Sequence, residues 1–343
     1  MLKALKRSVL QITKRVGLLE SVADSEWRRR QLLILCYHSL ALDQEHLWRR
    51  PLFFTIDEFE QRLKLLQRCG VQVLPLGEAV NRLQSGTLPR RSAVLTFDDG
   101  SADFSDIVWP MLKRYQYPAT VYATTYYSEK RRPIFPLICA YVLWKGRGRI
   151  LNPDAELGVT AAADLSSATA RDVVARAIID RANREGLDAG EKDQRAARLA
   201  ELVDVDYQDL LRRRVLQAMT PEEIRRVAAD GADVQLHTHR HRVPRHRDLF
   251  DREIVENRTR LEALTGLRAE HFCYPSGEHH QEFLPWLTAQ GVVTATTGIP
   301  GLARAACSPL LLPRIIDVAA MAPIELEGWL SGITQILPRR RVA

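Results

Sequence analysis

Three short segments concentrate side chains capable of chemistry. The first is Leu95-Thr96-Phe97-Asp98-Asp99-Gly100, where two adjacent carboxylates and a glycine follow an apolar run. In parallel α/β folds, reactive groups gather at the carboxyl ends of strands. Neighbouring residues at such an end diverge, so one carboxylate can hold a metal ion while the other faces a substrate. Asp-Asp-Gly also reads, by itself, as an ordinary turn. The second segment, Leu236-His237-Thr238-His239-Arg240-His241, places three of the chain's nine histidines within five residues, again after an apolar run. His237 and His241 stand four apart, so one helical turn would bring both imidazoles to one side. His239 could replace either of them or point away. Two imidazoles and one carboxylate leave coordination positions open to water and substrate, which is the pattern of catalytic rather than structural zinc. The alternative is a polar surface loop whose histidines are incidental. The third segment, Phe272-Cys273-Tyr274-Pro275-Ser276-Gly277, runs from an apolar strand into a Pro/Gly turn. Exposed N–H groups in such a turn suit an oxyanion hole.

The elements that must position these segments alternate along the chain. Gln31–Cys36, Val71–Leu76, Ser92–Phe97, Pro118–Thr124, Ala232–Leu236, His271–Tyr274, Val292–Thr296 and Leu311–Ile315 read as strands. Between them lie helical stretches: Asp57–Arg68, with Thr55 or Asp57 as cap, Phe104–Tyr115, Pro221–Ala229 behind Thr220, Leu249–Leu264, Glu282–Gln290, and a last one from Ile324. Such alternation implies parallel strands with right-handed crossovers, as a barrel or an open sheet. An interruption over about 128–218, apolar at first and then Ala-rich and densely charged, reads as a helical insertion on the rim. Residues 1–30 read as an amphipathic basic helix, since Leu2, Leu5, Val9, Ile12, Val16 and Leu19 recur at helical spacing among lysines and arginines. That helix either lies in an anionic membrane interface through residues 1–22 or packs on the main domain.

Composition narrows the classes. Of 343 residues, 46% are hydrophobic and 27% charged, which excludes a disordered or collagen-like chain. The formal net charge of +7 is not spread evenly: residues 1–30 carry +5 and Arg339–Arg341 carry +3, leaving residues 31–338 at −1. A nucleic-acid binder would carry its basic stripe on the folded body, so no nucleic-acid partner is expected. The five cysteines include no CxxC pair, which argues for reduced thiols. No apolar run reaches membrane-spanning length, and Lys14 and Arg15 interrupt any leader-like stretch. A cytoplasmic protein is expected, peripheral on the inner face of the membrane if the first helix binds lipid.

Taken in order, TFDDG (Thr96–Gly100), HTxxH (His237–His241) and the YPSG turn resemble the polysaccharide deacetylases of carbohydrate esterase family 4, with the NodB-homology fold. Tyr37-His38 after the first strand, Met219-Thr220-Pro221-Glu222-Glu223 before the histidines and Leu312-Pro313-Arg314 near the end agree with one branch of that family. The resemblance covers about residues 31–335, leaving 336–343 as a basic tail. It implies a distorted (β/α) barrel and a divalent metal, most often Zn2+. Carried over, Asp99, His237 and His241 would hold the metal, and Asp98 would be the general base. The Tyr274-Pro275-Ser276 turn would offer a backbone N–H, assigned to Ser276, to the oxyanion. The substrate implied is an N-acetylated glycan or its lipid-linked precursor, cleaved to acetate and a free amine. The two carboxyl-end motifs together are specific; the turn is looser.

The chain departs from the family in two places. Many members orient the base with an arginine in the third motif, where this chain has Cys273; Arg314 could supply that guanidinium. Many also protonate the leaving amine with a late Leu-x-x-His, yet no histidine follows His280 here. His38, at the end of the first strand, is the replacement candidate, with His279 and His280 directly after the turn as further ones. Alternatives on the same site are O-deacetylation, hydrolysis of another amide, or glycan binding without turnover. Two histidines and a carboxylate also suit iron, cobalt or nickel.

Overall fold

A computed structural model describes residues 2–337 of the chain. The Arg339–Arg341 part of the predicted tail therefore lies outside the described residues. The main sheet contains β1 (Gln31–Tyr37), β2 (Gln72–Val73), β3 (Ser92–Phe97), β4 (Thr120–Ala123), β5 (Asp233–Leu236), β6 (His271–Cys273), β7 (Thr294–Thr296), β8 (Ala303–Arg304) and β9 (Ile315–Ile316). Its order is β7-β6-β5-β4-β3-β1-β8, with β2 beside β3 and β9 beside β1; all pairs are parallel except β1 with β8. β1 and β3 are buried along their whole length, as strands covered on both faces must be.

The sheet curls until its ends meet. Leu312 donates its N–H to Ala295 O and accepts from Thr297 N–H, both at 2.9 Å, while Leu35 pairs with Ile315. The short segment 312–316 thus bridges β7 and β1 and brings all the parallel carboxyl ends to one mouth. This is a distorted (β/α) barrel, as expected. Strand limits are shorter than the sequence reading in several places. Val71–Leu76 yields only the two residues of β2, because Leu76 already opens the helix Leu76–Ser85. Caps explain the firmest boundaries: Thr55 and Glu58 form a capping box on Ile56–Arg68, and Thr220 and Glu223 form another on Pro221–Ala229.

The interruption between β4 and β5 is mostly helical (Phe135–Lys145, Ala168–Arg184, Ala189–Leu202, Tyr207–Arg212), with a two-stranded ribbon, Ile150–Leu151 against Ala163–Asp164. It builds its own apolar cluster around Ile138, Tyr141, Leu199 and Leu210. The N-terminal segment is three helices rather than one, Leu2–Arg15, Leu18–Ala23 and Glu26–Arg29. Gly17, at φ 72°, breaks the first turn, and the Ser25 side chain caps the third helix. The first helix docks on Pro323–Ser331 through Leu10, not through the periodic stripe. A Cβ on Gly328 would come within 2.7 Å of Leu10, so the glycine permits the approach. Arg7–Glu325 and Lys14–Glu327 ion pairs flank the contact. Leu5, Ile12 and Val16 remain 60–71% exposed. No helix among the described residues is long and apolar enough to cross a membrane.

Candidate metal and catalytic site

The mouth of the barrel opens into a cavity of about 700 Å³ whose floor holds Asp98, Asp99, His237, His241, His38 and Arg314. Asp98 and Asp99 follow β3 directly. Gly100 then turns the chain at φ 67°, where a Cβ would sit 2.9 Å from that of Ala123. Asp99 itself lies in the left-handed region, at φ 74°, a conformation that costs a non-glycine residue free energy and is found where geometry serves function.

Asp99 Oδ1 is 3.1 Å from Nε2 of His237 and 3.1 Å from Nε2 of His241. No helical turn carries the two histidines. Residues 237–242 form a loop with Thr238 at φ 60° and His241 at φ 54°, and this backbone sets the two rings 4.9 Å apart. The loop is held from beneath by Asn257, fully buried on the helix Arg247–Thr265. Its Oδ1 accepts the His237 N–H at 3.0 Å, and its amide donates to Ala123 O and Thr125 Oγ1. His237 Nδ1 lies 2.9 Å from Cys273 O, which directs Nε2 toward Asp99. These three donors lie within 4.8 Å of one another. Two imidazoles and a carboxylate, with the second nitrogen of His237 already committed to a carbonyl, fit a divalent ion. His239 does not join them: its Nδ1 is 2.7 Å from Thr125 Oγ1, and burial, with Arg260 and Arg240 nearby, lowers its pKa to about 4.

Asp98 has a different environment. Arg314 meets both its oxygens, at 2.7 and 2.8 Å, and its guanidinium also donates to Thr297 O and Thr96 Oγ1. The thiols of Cys36 and Cys273 lie 3.5 and 3.4 Å from Asp98 Oδ2. Burial by itself would raise the Asp98 carboxyl; the guanidinium more than reverses this and holds it far below the usual carboxylate range. At Asp99 burial is likewise outweighed, there by His241 and His237. His38 closes β1 and lines the cavity, with a ring nitrogen within 4.8 Å of an Asp98 oxygen.

The third motif contributes less than its sequence suggests. The Tyr274 side chain is buried and donates to Leu310 O at 3.0 Å, while its N–H donates to Thr296 O. Pro275 has no N–H, and neither residue lines the cavity. Ser276 and Gly277 do line it. Gly277 spends its N–H on Tyr274 O, so Ser276, at φ 56°, is the one member of the turn not committed to these bonds. His279 bonds Gly277 O and His280 packs on Phe283; both stand outside the cavity. Asn257 was missed by sequence reasoning. Its signal was a lone amide in the buried stripe Phe250, Ile254, Asn257, Leu261.

Comparison with known proteins gives a consistent picture. The profile of the polysaccharide deacetylase family matches residues 85–295. A poly-beta-1,6-N-acetyl-D-glucosamine N-deacetylase of Staphylococcus epidermidis is 32% identical over 71 residues, 21% of this chain and 25% of that protein. The matched segment therefore spans about a quarter of that relative's length. In structure the chain is similar to the Streptococcus pyogenes deacetylase PplD (TM-score 0.58, 19% identity, 90% of this chain and 99% of that one). It is also similar to IcaB from Ammonifex degensii (TM-score 0.55, 17% identity, 88% and 97%). At these identities the likeness shows a shared fold.

Proposed function

The chain belongs to the polysaccharide deacetylase family, and from that premise we propose that it hydrolyses N-acetyl groups of amino sugars in a polysaccharide or its lipid-linked precursor. The observation that carries this reading is the pairing of two unlike carboxylates on one cavity floor. Asp99 sits with His237 and His241, and Asp98 sits in the fork of Arg314. Asp99, His237 and His241 would hold a divalent ion, zinc by preference for this donor set, which when bound polarises the acetamide carbonyl and acidifies water.

The chain's own groups divide the remaining work. Asp98 takes a proton from the attacking water, and Arg314 fixes the carboxylate's orientation and keeps it ionised. The Ser276 N–H donates to the developing oxyanion, a contact worth about 2.7–4 kcal/mol of barrier for such donors. His38 delivers a proton to the leaving nitrogen, so that acetate and a free amine depart. Release of acetate from defined N-acetylhexosamine oligosaccharides, abolished by a chelator and restored by zinc, tests the reading. Stoichiometric metal without acetate release across a broad glycan panel would overturn it in favour of binding alone.

Placement at the inner face of a membrane is the second part of the proposal. The exposed row Leu5, Ile12 and Val16 lies between Lys6 and Arg15, which have no carboxylate partner among the described residues. An apolar stripe edged by cations matches an anionic lipid surface. Replacing those three apolar residues by Gln should abolish sedimentation with anionic liposomes while leaving acetate release intact; unchanged sedimentation would refute the contact.

A further inference from the structure

A second cavity, of about 320 Å³, adjoins the first and shares Tyr127, Pro136 and Arg240 with it. One wall is segment 126–138, which leads from β4 into the insertion; the other is the insertion's helix Ala189–Leu202. Its charge is one-sided. Lys130, Arg132, Lys192, Arg240 and Arg242 line it against the single carboxylate of Asp193, although residues 31–338 as a whole carry a net −1.

Three of these cations are partly neutralised. Arg132 lies 3.2 Å from Asp193, Arg240 lies 3.1 Å from Glu253 and 2.8 Å from Glu256, and Arg242 lies 2.7 Å from Glu253. The two lysines are not neutralised. Lys130 stands 5.7 Å from the Tyr126 ring centroid, and Lys192 contacts only the side-chain oxygen of Asn183, at 3.4 Å; neither has a carboxylate partner among the described residues. Lys130 ends the short helix Tyr126–Lys130 at the start of the insertion and Lys192 lies on its helix Ala189–Leu202, so the two ammonium groups reach the cavity from different elements.

We propose that this cavity is a subsite for a phosphate group attached to the N-acetylated sugar. Lys130 is exposed and Lys192 half-buried, so a ligand must replace their water. A neutral glycan brings no charge to them, whereas a phosphate offers several charged acceptors to the lysines and to the neighbouring arginines. The passage shared with the first cavity puts such a group on the same molecule as the reacting acetamide. The inference rests on the deacetylase reading above. The phosphate belongs either to a sugar–pyrophosphate–lipid or to a soluble phosphorylated glycan.

The test measures acetate release by the metal-loaded enzyme from three substrates with the same N-acetylated sugar. One is a neutral oligosaccharide, one carries a soluble phosphate ester, and one is linked through pyrophosphate to a polyprenol in vesicles of neutral lipid. At least one phosphate-bearing substrate should be preferred over the neutral one by about tenfold or more in kcat/KM. The double variant Lys130→Ala/Lys192→Ala should bring that ratio close to one, and Lys130→Arg/Lys192→Arg should retain it. Whichever phosphate-bearing substrate is preferred identifies the source. Acetate from the neutral glycan with no preference in the wild type, or a preference untouched by the alanines, overturns the subsite alone. If no substrate releases acetate, the deacetylase reading fails instead. Equilibrium binding of the phosphorylated glycan to wild type and double variant then decides the subsite independently.

Discussion

Arg314 and Asp98 are 216 residues apart in sequence and form a two-pronged ion pair, at 2.7 and 2.8 Å, on the floor of the barrel. Both side chains are almost wholly buried. Removing one partner of such a pair leaves a charge without compensation, at a cost of about 3–5 kcal/mol. Arg314→Lys keeps the charge but loses the fork. We expect Arg314→Lys to fold with a lowered Tm and to lose at least about tenfold in kcat, with little change in KM. A variant with wild-type kcat would remove Arg314 from the positioning of the base.

Asp98→Asn keeps the shape and removes the basic oxygen. Turnover should fall by roughly 10²–10⁴-fold, the usual range for general acid–base groups, while bound metal measured by elemental analysis stays at the wild-type level. Full activity in this variant would refute the base assignment.

Asp99→Asn and His237→Gln should show the opposite pairing, with metal content and activity lost together. Metal that binds only the folded state stabilises it by mass action. Chelation should therefore lower the Tm of the wild type and leave the Tm of these two variants unmoved. Equal metal content in wild type and His237→Gln would place the ion elsewhere.

His38→Gln tests the proton donor through the leaving group. An amine must be protonated to depart, whereas a 4-nitrophenolate need not be. The variant should lose about 10²-fold on N-acetyl substrates and far less on a 4-nitrophenyl ester. Equal losses on both would assign His38 to packing or orientation.

Asp103 carries a pH dependence of stability. Its carboxyl is buried, accepts the Leu40 N–H at 2.7 Å, and burial pushes its pKa up to about 7, with Glu45 nearby adding to the shift. Because the folded value lies above the unfolded one, the folded state binds more protons between about pH 4 and 7. Stability must fall as pH rises through that window, by on the order of 2–4 kcal/mol from this group. Asp103→Asn should flatten that slope in denaturant titrations from pH 4.5 to 7.5. An unchanged slope would show that Asp103 ionises normally in the fold.

Much of this was legible in the sequence, because the relevant signals are local. Apolar runs located the strands that end at Asp98 and His237, Thr220 and Glu223 marked a helix start, and motif order pointed to the barrel. Other features depended on contacts between segments distant in sequence. Helical spacing suggested that His237 and His241 meet on one turn; in fact left-handed residues in a loop bring them together, and Asn257 from a later helix holds that loop. The apolar stripe Leu5–Val16 could serve either as a membrane face or as a packing face; Leu10 on another side of the helix makes the contact, since Gly328 leaves room there and Glu325 and Glu327 pair with the flanking cations. Cys273 stands where an arginine was expected, and the guanidinium arrives instead from Arg314. The sequence by itself determined which groups could do chemistry and at which strand ends they stand. Only the tertiary structure decided which of them meet, because Asp99 reaches the histidines across the paired strands β3, β4 and β5, and Arg314 reaches Asp98 only when segment 312–316 joins β7 to β1.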